Sequence, residues 1–463
     1  MPQNAGLIQS LYKYSGTYLK DENGNTIGAE YTPEVEAALA SLYNESTGTY
    51  ITDVNQMINA LGIDTQVTPE QGKLTGDING VDPNFKMPQI WKSMIGIDWD
   101  IPVSFPFTFT AEGMFNKTLY GVRLVDWNLR YDLIANAKSG NRFNGPDNRV
   151  NYNSTFYDEQ GNPIDYKYGD HSAYVLTNSK EGYGYVVNLA IDMTPAKNLN
   201  FKAAYTHTEN KEISGMPGSA ATSAYSGLYS IDGPTFVGLQ RSMYVTPDKF
   251  MLSAGYMFPS LFEGDGVRIN LFYNTYSAGN YSYIYSNDMN GDGVATDLMY
   301  IPKNASELNF VDMVDKNGNV LATAAEQSAA FDKFLNNDPY LSKHKGEYAE
   351  AYAGRSPWTH LLDARIAKTF KRTIGNTTHK FELSVNINNL LNMFNSKWGL
   401  FKYGCYGSTS TVSPLKYMGT DDNNTPTYNM NMVDGKFPTE TYTNTYINTN
   451  QCWSLMFGLK YSF

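Results

Sequence analysis

The last eleven residues, Trp453 to Phe463, alternate without a break. Trp453, Leu455, Phe457, Leu459, Tyr461 and Phe463 are apolar or aromatic, and between them lie Ser454, Met456, Gly458, Lys460 and Ser462. Period-two alternation sends the two sets to opposite faces of a strand. A tilted strand of roughly 9–11 residues just crosses the hydrocarbon core of a bilayer. Eight further segments repeat the pattern, near residues 95–101, 107–116, 183–193, 199–206, 250–258, 267–274, 362–370 and 381–388. In Tyr183 to Met193, for example, Tyr185, Val187, Leu189 and Ile191 lie on one face, with Asn188 and Asp192 on the other. Charges such as Arg268, Arg365 and Glu382 all sit in the polar phase, where water can solvate them.

The connections alternate as well. Short ones, at 102–106, 194–198, 259–266 and 372–379, take turns with long ones, near 131–172, 212–247, 287–358 and 405–450. Short turns on one side and long loops on the other are the signature of an outer-membrane barrel. The expected fold is therefore all-β: the C-terminal part of an antiparallel transmembrane β-barrel, with about nine to ten strands. Residues 1–90 read instead as an extracellular loop region with short helices, and 91–463 as barrel. Thr32 and Pro33 open a candidate helix from Glu34 to Tyr43, and Thr52 to Leu61 is a second. A third helix is expected in the third long loop, from about Thr323 to Asn336. DENGN at Asp21–Asn25 and DKNGN at Asp315–Asn319 read as tips of two-stranded ribbons.

Composition agrees without deciding. There is no run of about 18 apolar residues, which excludes a transmembrane helix. The mean hydropathy of -0.42 is compatible with a barrel, because half of each wall strand and all the loops are polar. Thirty-six Tyr, 23 Phe and 6 Trp suit interfacial aromatic girdles. The net charge of -11 argues against nucleic acid as a partner. The start, MPQNAGLIQS, has neither a basic nor an apolar leader region, so the expectation is a C-terminal piece of a longer exported chain.

Several strings then resemble Oar-like TonB-dependent outer-membrane receptors. They are DINGVDPNFKMPQIWKSMIGIDW (Asp77–Trp99), YVLTNSKEGYGYVVNLAI (Tyr174–Ile191), NDMNGDGVATDLMYIP (Asn287–Pro302), GRSPWTHLLDARIAKTF (Gly354–Phe370) and FELSVNINNLLNMFN (Phe381–Asn395), with the terminal Phe463. The resemblance covers residues 77–463. It implies a barrel of about 22 strands, closed by an N-terminal plug that a periplasmic energy-coupling protein releases. This chain carries neither the plug nor the TonB-contacting box, so TonB would act only through the missing N-terminal part. The expected role is TonB-dependent uptake of an oligosaccharide, peptide or chelate across the outer membrane of a Gram-negative bacterium. The alternative is an adhesive or structural surface protein without transport. Expected partners are outer-membrane lipid and the barrel-assembly machinery, which reads the terminal signal Leu455, Phe457, Leu459, Tyr461 and Phe463.

Two constellations could carry further chemistry. Asp288, Asn290, Asp292, the Val294 carbonyl and Asp297 have the spacing of a calcium loop, with Met299 where the closing acid is expected. The alternative there is a plain Asn/Asp/Gly turn. Cys405 and Cys452 bracket the last long loop, and a disulfide between them is expected in an oxidising compartment, against the alternative of two unpaired thiols. His171, His207, His344, His360 and His379 show no metal spacing, and no nucleophile–base pair or phosphate loop stands out, so no enzyme is expected.

Overall fold

A computed structural model of the chain describes residues 17–20, 26–30, 36–37, 40–61, 77–129, 141–157, 161, 163–164, 172–260, 265–277, 279–445 and 451–463. The chain divides into two compact units. The first comprises Met1–Gly80 with Asp126–Leu129 and Lys167–Tyr174, and the second holds the remainder, beginning at Val81 rather than near residue 91. In the first unit, Thr17–Lys20 pairs antiparallel with Thr26–Glu30, on either side of the expected DENGN tip, which itself lies outside the described residues. Residues 36–37 and 40–41 are helical, as expected of the first helix, but Tyr43–Asn44 pairs with Thr49–Tyr50, so the helix ends before Tyr43; Thr32 and Pro33 lie outside the described residues. Helix α1, Val54–Ala60, forms as expected, its first turn capped by the Asp53 carboxylate accepting from the Gln56 amide.

The second unit is built on nine long strands. They are β1 (Gln89–Asp100), β2 (Phe107–Asp126), β3 (Gly182–Ala196), β4 (Leu199–Glu212), β5 (Asp248–Pro259), β6 (Gly266–Ser277), β7 (Trp358–Ile374), β8 (Thr377–Asn388) and β9 (Ser454–Ser462). Each pairs antiparallel with its neighbours in sequence, and three short strands bring the sheet to twelve. The fold is thus all-β in its main body. The sheet does not close: β1 bonds only to β2 and β9 only to β8, which leaves two edges among the described residues.

Register lines the apolar phases up. One row reads Trp99, Phe109, Ile191, Ala203, Leu252, Tyr273, Leu362, and the next reads Phe107, Met193, Phe201, Ala254, Leu271, Ala364, Ile387, Leu455. The opposite face holds most of the charged and amide side chains, bonded to one another, with Met94, Met114, Val186, Met251, Phe272 and Met456 among them. Thr108 and Thr110 donate to Asp100 and Asp98 across β1–β2, at 2.7 and 2.6 Å. Asn188 bridges Glu112 and Thr206, and Arg365 reaches both Glu382 and Asn386. Several strands outrun their expected limits: β2 continues ten residues past Asn116, because its pairing extends beyond the apolar rows and the period-two contrast fades there.

The long connections do not trail as separate loops. Residues from 141–157, 280–357 and 402–445 interleave into a cap with its own core, centred on Phe143, Tyr281, Tyr283, Tyr285, Phe331, Phe334, Leu335, Val412, Leu415, Tyr428 and Met430. A five-stranded sheet crosses it in the order 309–310, 426–430, 411–420, 280–285, 354–355. Against it lies α2, Ala324–Asn337, one residue displaced from expectation. Its buried stripe, Gln327, Phe331, Phe334 and Leu335, has the spacing of one helical face. Gln327 locks it in place by accepting from the Met430 amide and donating to the Val311 carbonyl. The helix begins at a capping box, in which the Thr323 hydroxyl accepts from the Glu326 amide and the Glu326 carboxylate accepts from Thr323. The expected DKNGN tip is also present, with Gly318 at φ 83 between the paired Met313–Val314 and Val320–Ala322. Thr323→Ala removes the side-chain half of the box and should cost the cap about 1 kcal/mol, read as a lower midpoint for its unfolding in urea.

Candidate functional site

The apolar face of the sheet is uncovered. Phe457 is 76% exposed, Leu459 72% and Ile95 78%, and Ile97, Trp99, Val187, Leu189, Tyr256, Phe258, Ile366, Phe370, Phe381 and Leu383 are exposed as well. All belong to the same phase of their strands, and among the described residues each remains exposed. A water-soluble protein rarely exposes a contiguous apolar patch above a few hundred Å². Cations also enter this face: Lys368, whose Nζ lies 5.3 Å from the centre of the Phe370 ring, Arg372 beyond it, and Lys117 between Phe115 and Leu119.

The terminal residues singled out in the sequence sit together on this face and edge. Leu455, Phe457, Leu459, Tyr461 and Phe463 are all exposed, on a strand with one open side. Tyr461 stacks on Phe381 at 4.6 Å and meets Phe463 at 5.5 Å, and its hydroxyl lies 2.6 Å from His379 Nδ1. Aromatic rings thus gather at the turn end of β8 and β9, next to a row of unpaired backbone groups.

The proposed calcium loop has a different geometry from a cation cage. Both Asp288 oxygens accept backbone amides, from Gly291 and Gly293 at 2.7 and 2.8 Å. Asn290 Oδ1 accepts from the Asp292 amide, and Asp292 Oδ1 from that of Val294. These are Asx turns that curl the loop on itself. Asp297, expected to close the site, is drawn away: Oδ1 meets Arg149 Nη1 at 3.3 Å and Oδ2 accepts from the Met289 amide at 2.8 Å. Among the described residues, no group of three or more His, Cys, Asp or Glu side chains is placed to hold a metal ion. The residues present therefore do not converge as a calcium site.

What the acidic loop serves is a buried ionic cluster that its spacing did not announce. Arg149 is fully buried and holds Asp147 with two bonds, Nε–Oδ1 at 2.9 Å and Nη2–Oδ2 at 3.1 Å. Tyr285 and Tyr348 donate their hydroxyls to the same carboxylate at 2.7 and 3.0 Å, and both rings lie beneath the guanidinium. Two acids share one cation, and Asp147 takes its better bonds. Burial accordingly pushes the Asp297 carboxyl up to about 8; Arg149 opposes this, and Asp292 and Asp288 add to it. The sole sequence signal was an arginine two residues from an aspartate inside a long loop, which is too common to single out.

The expected Cys405–Cys452 disulfide is not formed. Cys405 is a free thiol inside the cap core, pushed up to about 12 by burial, and Cys452 is an exposed free thiol before β9. Neighbouring strands in sequence did not place them as partners, because residue 405 folds inward with the cap. The described histidines share no site: His207 lies by Asp248, His344 by Glu347, His360 by Tyr273 and His379 by Tyr461, while His171 is outside the described residues.

A cavity of about 560 Å³ opens between the cap and residues 229–240, bordered by Arg142, Tyr229, Asp232, Gly238, Tyr348 and Glu350 among others. No known protein family, characterised protein or solved structure matches this chain.

Two expectations follow for the buried cluster. Arg149→Ala strands the buried Asp147 carboxylate and should destabilise the cap by about 3–5 kcal/mol, seen as faster proteolysis of residues 280–357. Because Asp297 titrates higher in the folded cap than its ordinary value of 3.8, its contribution is intact below that value and is lost as pH rises towards about 8. Asp297→Asn mimics the protonated form. The variant's thermal midpoint should rise relative to the native protein's as pH goes from 5 to 8; a difference that stays constant over that range would refute the assignment.

Proposed function

We propose that this chain forms part of the wall and the outer-loop cap of an outer-membrane receptor-transporter. The observation that carries this reading is the exposed apolar face, which extends across nine hydrogen-bonded strands while most charged and amide side chains gather on the opposite face. A hydrocarbon layer is the solvent such a face suits, and water suits the other. Antiparallel strands meet the demand of lipid that every backbone polar group be bonded, provided that the edges are covered. In this reading β1 and β9 meet further strands, the short turns face the periplasm, and the cap stands outside as the surface a substrate meets first. The open side of β9, with its aromatic terminal residues, supplies a template on which assembly machinery pairs a strand. Uptake driven by TonB, through a plug, completes the scheme that the family resemblance implies. No residue of this chain is assigned a catalytic role.

The test uses the alternation itself. Spin labels are placed singly at 455, 457 and 459 and at 456 and 460, on a background of Cys405→Ala and Cys452→Ser, with the chain in lipid vesicles. Dissolved oxygen should relax the first set more, and a water-soluble nickel chelate the second. Equal access of the nickel chelate to both sets would overturn the membrane reading.

A further inference from the structure

The cap cavity lies among segments that the fold already holds rigid. Ser230 and Leu298 bond through their backbones at 2.8 Å, and Gln240 begins a short strand paired with β4. Tyr229 is held edge-on by Tyr352 at 5.2 Å, and Tyr348 by Tyr300 at 5.5 Å. Both tyrosines therefore border the cavity in fixed orientations. A volume of about 560 Å³ is within the range of sites that hold small ligands.

Charge decides what kind of ligand. Arg142 pairs with Asp232 at 3.5 Å. Glu350 meets Lys211 at 2.7 Å and Arg241 at 3.4 Å, and Arg241 turns to Glu209 at 2.9 Å. Arg142, Asp232 and Glu350 line the cavity, and each is already held in an ion pair. A ligand with net charge must compete with those pairs. A neutral, hydroxyl-rich ligand finds the reverse: carboxylates and guanidinium groups that are partly exposed, already oriented, and able to accept or donate charge-assisted hydrogen bonds. Buried Ser230 and Gln240 add neutral polar groups to the wall, and the aromatic rings offer flat apolar faces. Alternating hydroxyls and apolar ring faces are the chemistry of a sugar.

We propose that this cavity binds a short neutral oligosaccharide. The assignment deepens the receptor reading by giving it a substrate class, and it rests on that reading for its transport role. Binding itself needs only the folded cap and the 229–240 segment beside it.

Gly238 supplies a mild block. A Cβ there meets nothing within 4 Å, and the residue lies on the exposed rim. Gly238→Trp can therefore crowd the cavity while leaving the fold intact, which an unchanged thermal midpoint verifies. The full chain in detergent is titrated calorimetrically with maltotriose, chitotriose and laminaritriose, with trigalacturonate and trialanine as charged and peptide comparisons. At least one neutral trisaccharide should bind, more tightly than either comparison, and Gly238→Trp should weaken it about tenfold or more. Absence of binding by all three, tighter binding of trialanine or trigalacturonate, or binding unaffected by Gly238→Trp would overturn the proposal. The spin-label result is independent of this one, so failure of the sugar site and failure of the membrane reading are separable.

Discussion

The arrangement depends on one constraint, the interstrand hydrogen bonding that sets apolar residues of nine strands side by side. A slip of one residue at any junction would move a whole strand's apolar set to the polar face. The observed pairing keeps Phe109 beside Ile191, Ala203 beside Leu252, and Val385 beside Phe457. The polar face reinforces the same register, because Thr108–Asp100 and Arg365–Glu382 bonds form only in this alignment. Each face thus selects the register that the other requires.

The price of that order is an apolar surface and two strand edges left bare, both hazardous in water. The proposed location removes the first hazard by replacing water with lipid, and the second by pairing the edges. The shortness of the turns fits as well: Lys197–Asn198 and Gly375–Asn376 join strands directly, leaving nothing to cover the sheet on that side.

The cap obeys a different rule. It has a core of tyrosine, phenylalanine and methionine, assembled from chain segments that leave the sheet at three separate points. Much of its polar interior is bonded: Asp147 is met by Arg149, Tyr285 and Tyr348, and Tyr283 donates to Asp338 at 2.7 Å, while the buried Tyr281 hydroxyl has no hydrogen-bond partner among the described residues. Such networks rigidify when every member is partnered. A rigid cap holds the cavity open on an otherwise two-sided wall, and that is where the sugar-binding assignment is made.

Local patterns were legible from the amino acids alone. All nine wall strands were readable from period-two alternation, and α2 from its alanine-rich run and Thr323, because each signal lies within a dozen or so neighbouring residues. Tertiary structure decided what distant residues do to one another. Arg149 meets Asp297 across 148 positions, which spends the acid that a calcium loop needs. Cys405 turns into the cap and away from the pairing suggested by strand order. Hydrophobic periodicity records which side of an element faces which medium; it carries no information about which of many loop residues will share a core. That choice belongs to packing and charge compensation over the whole chain.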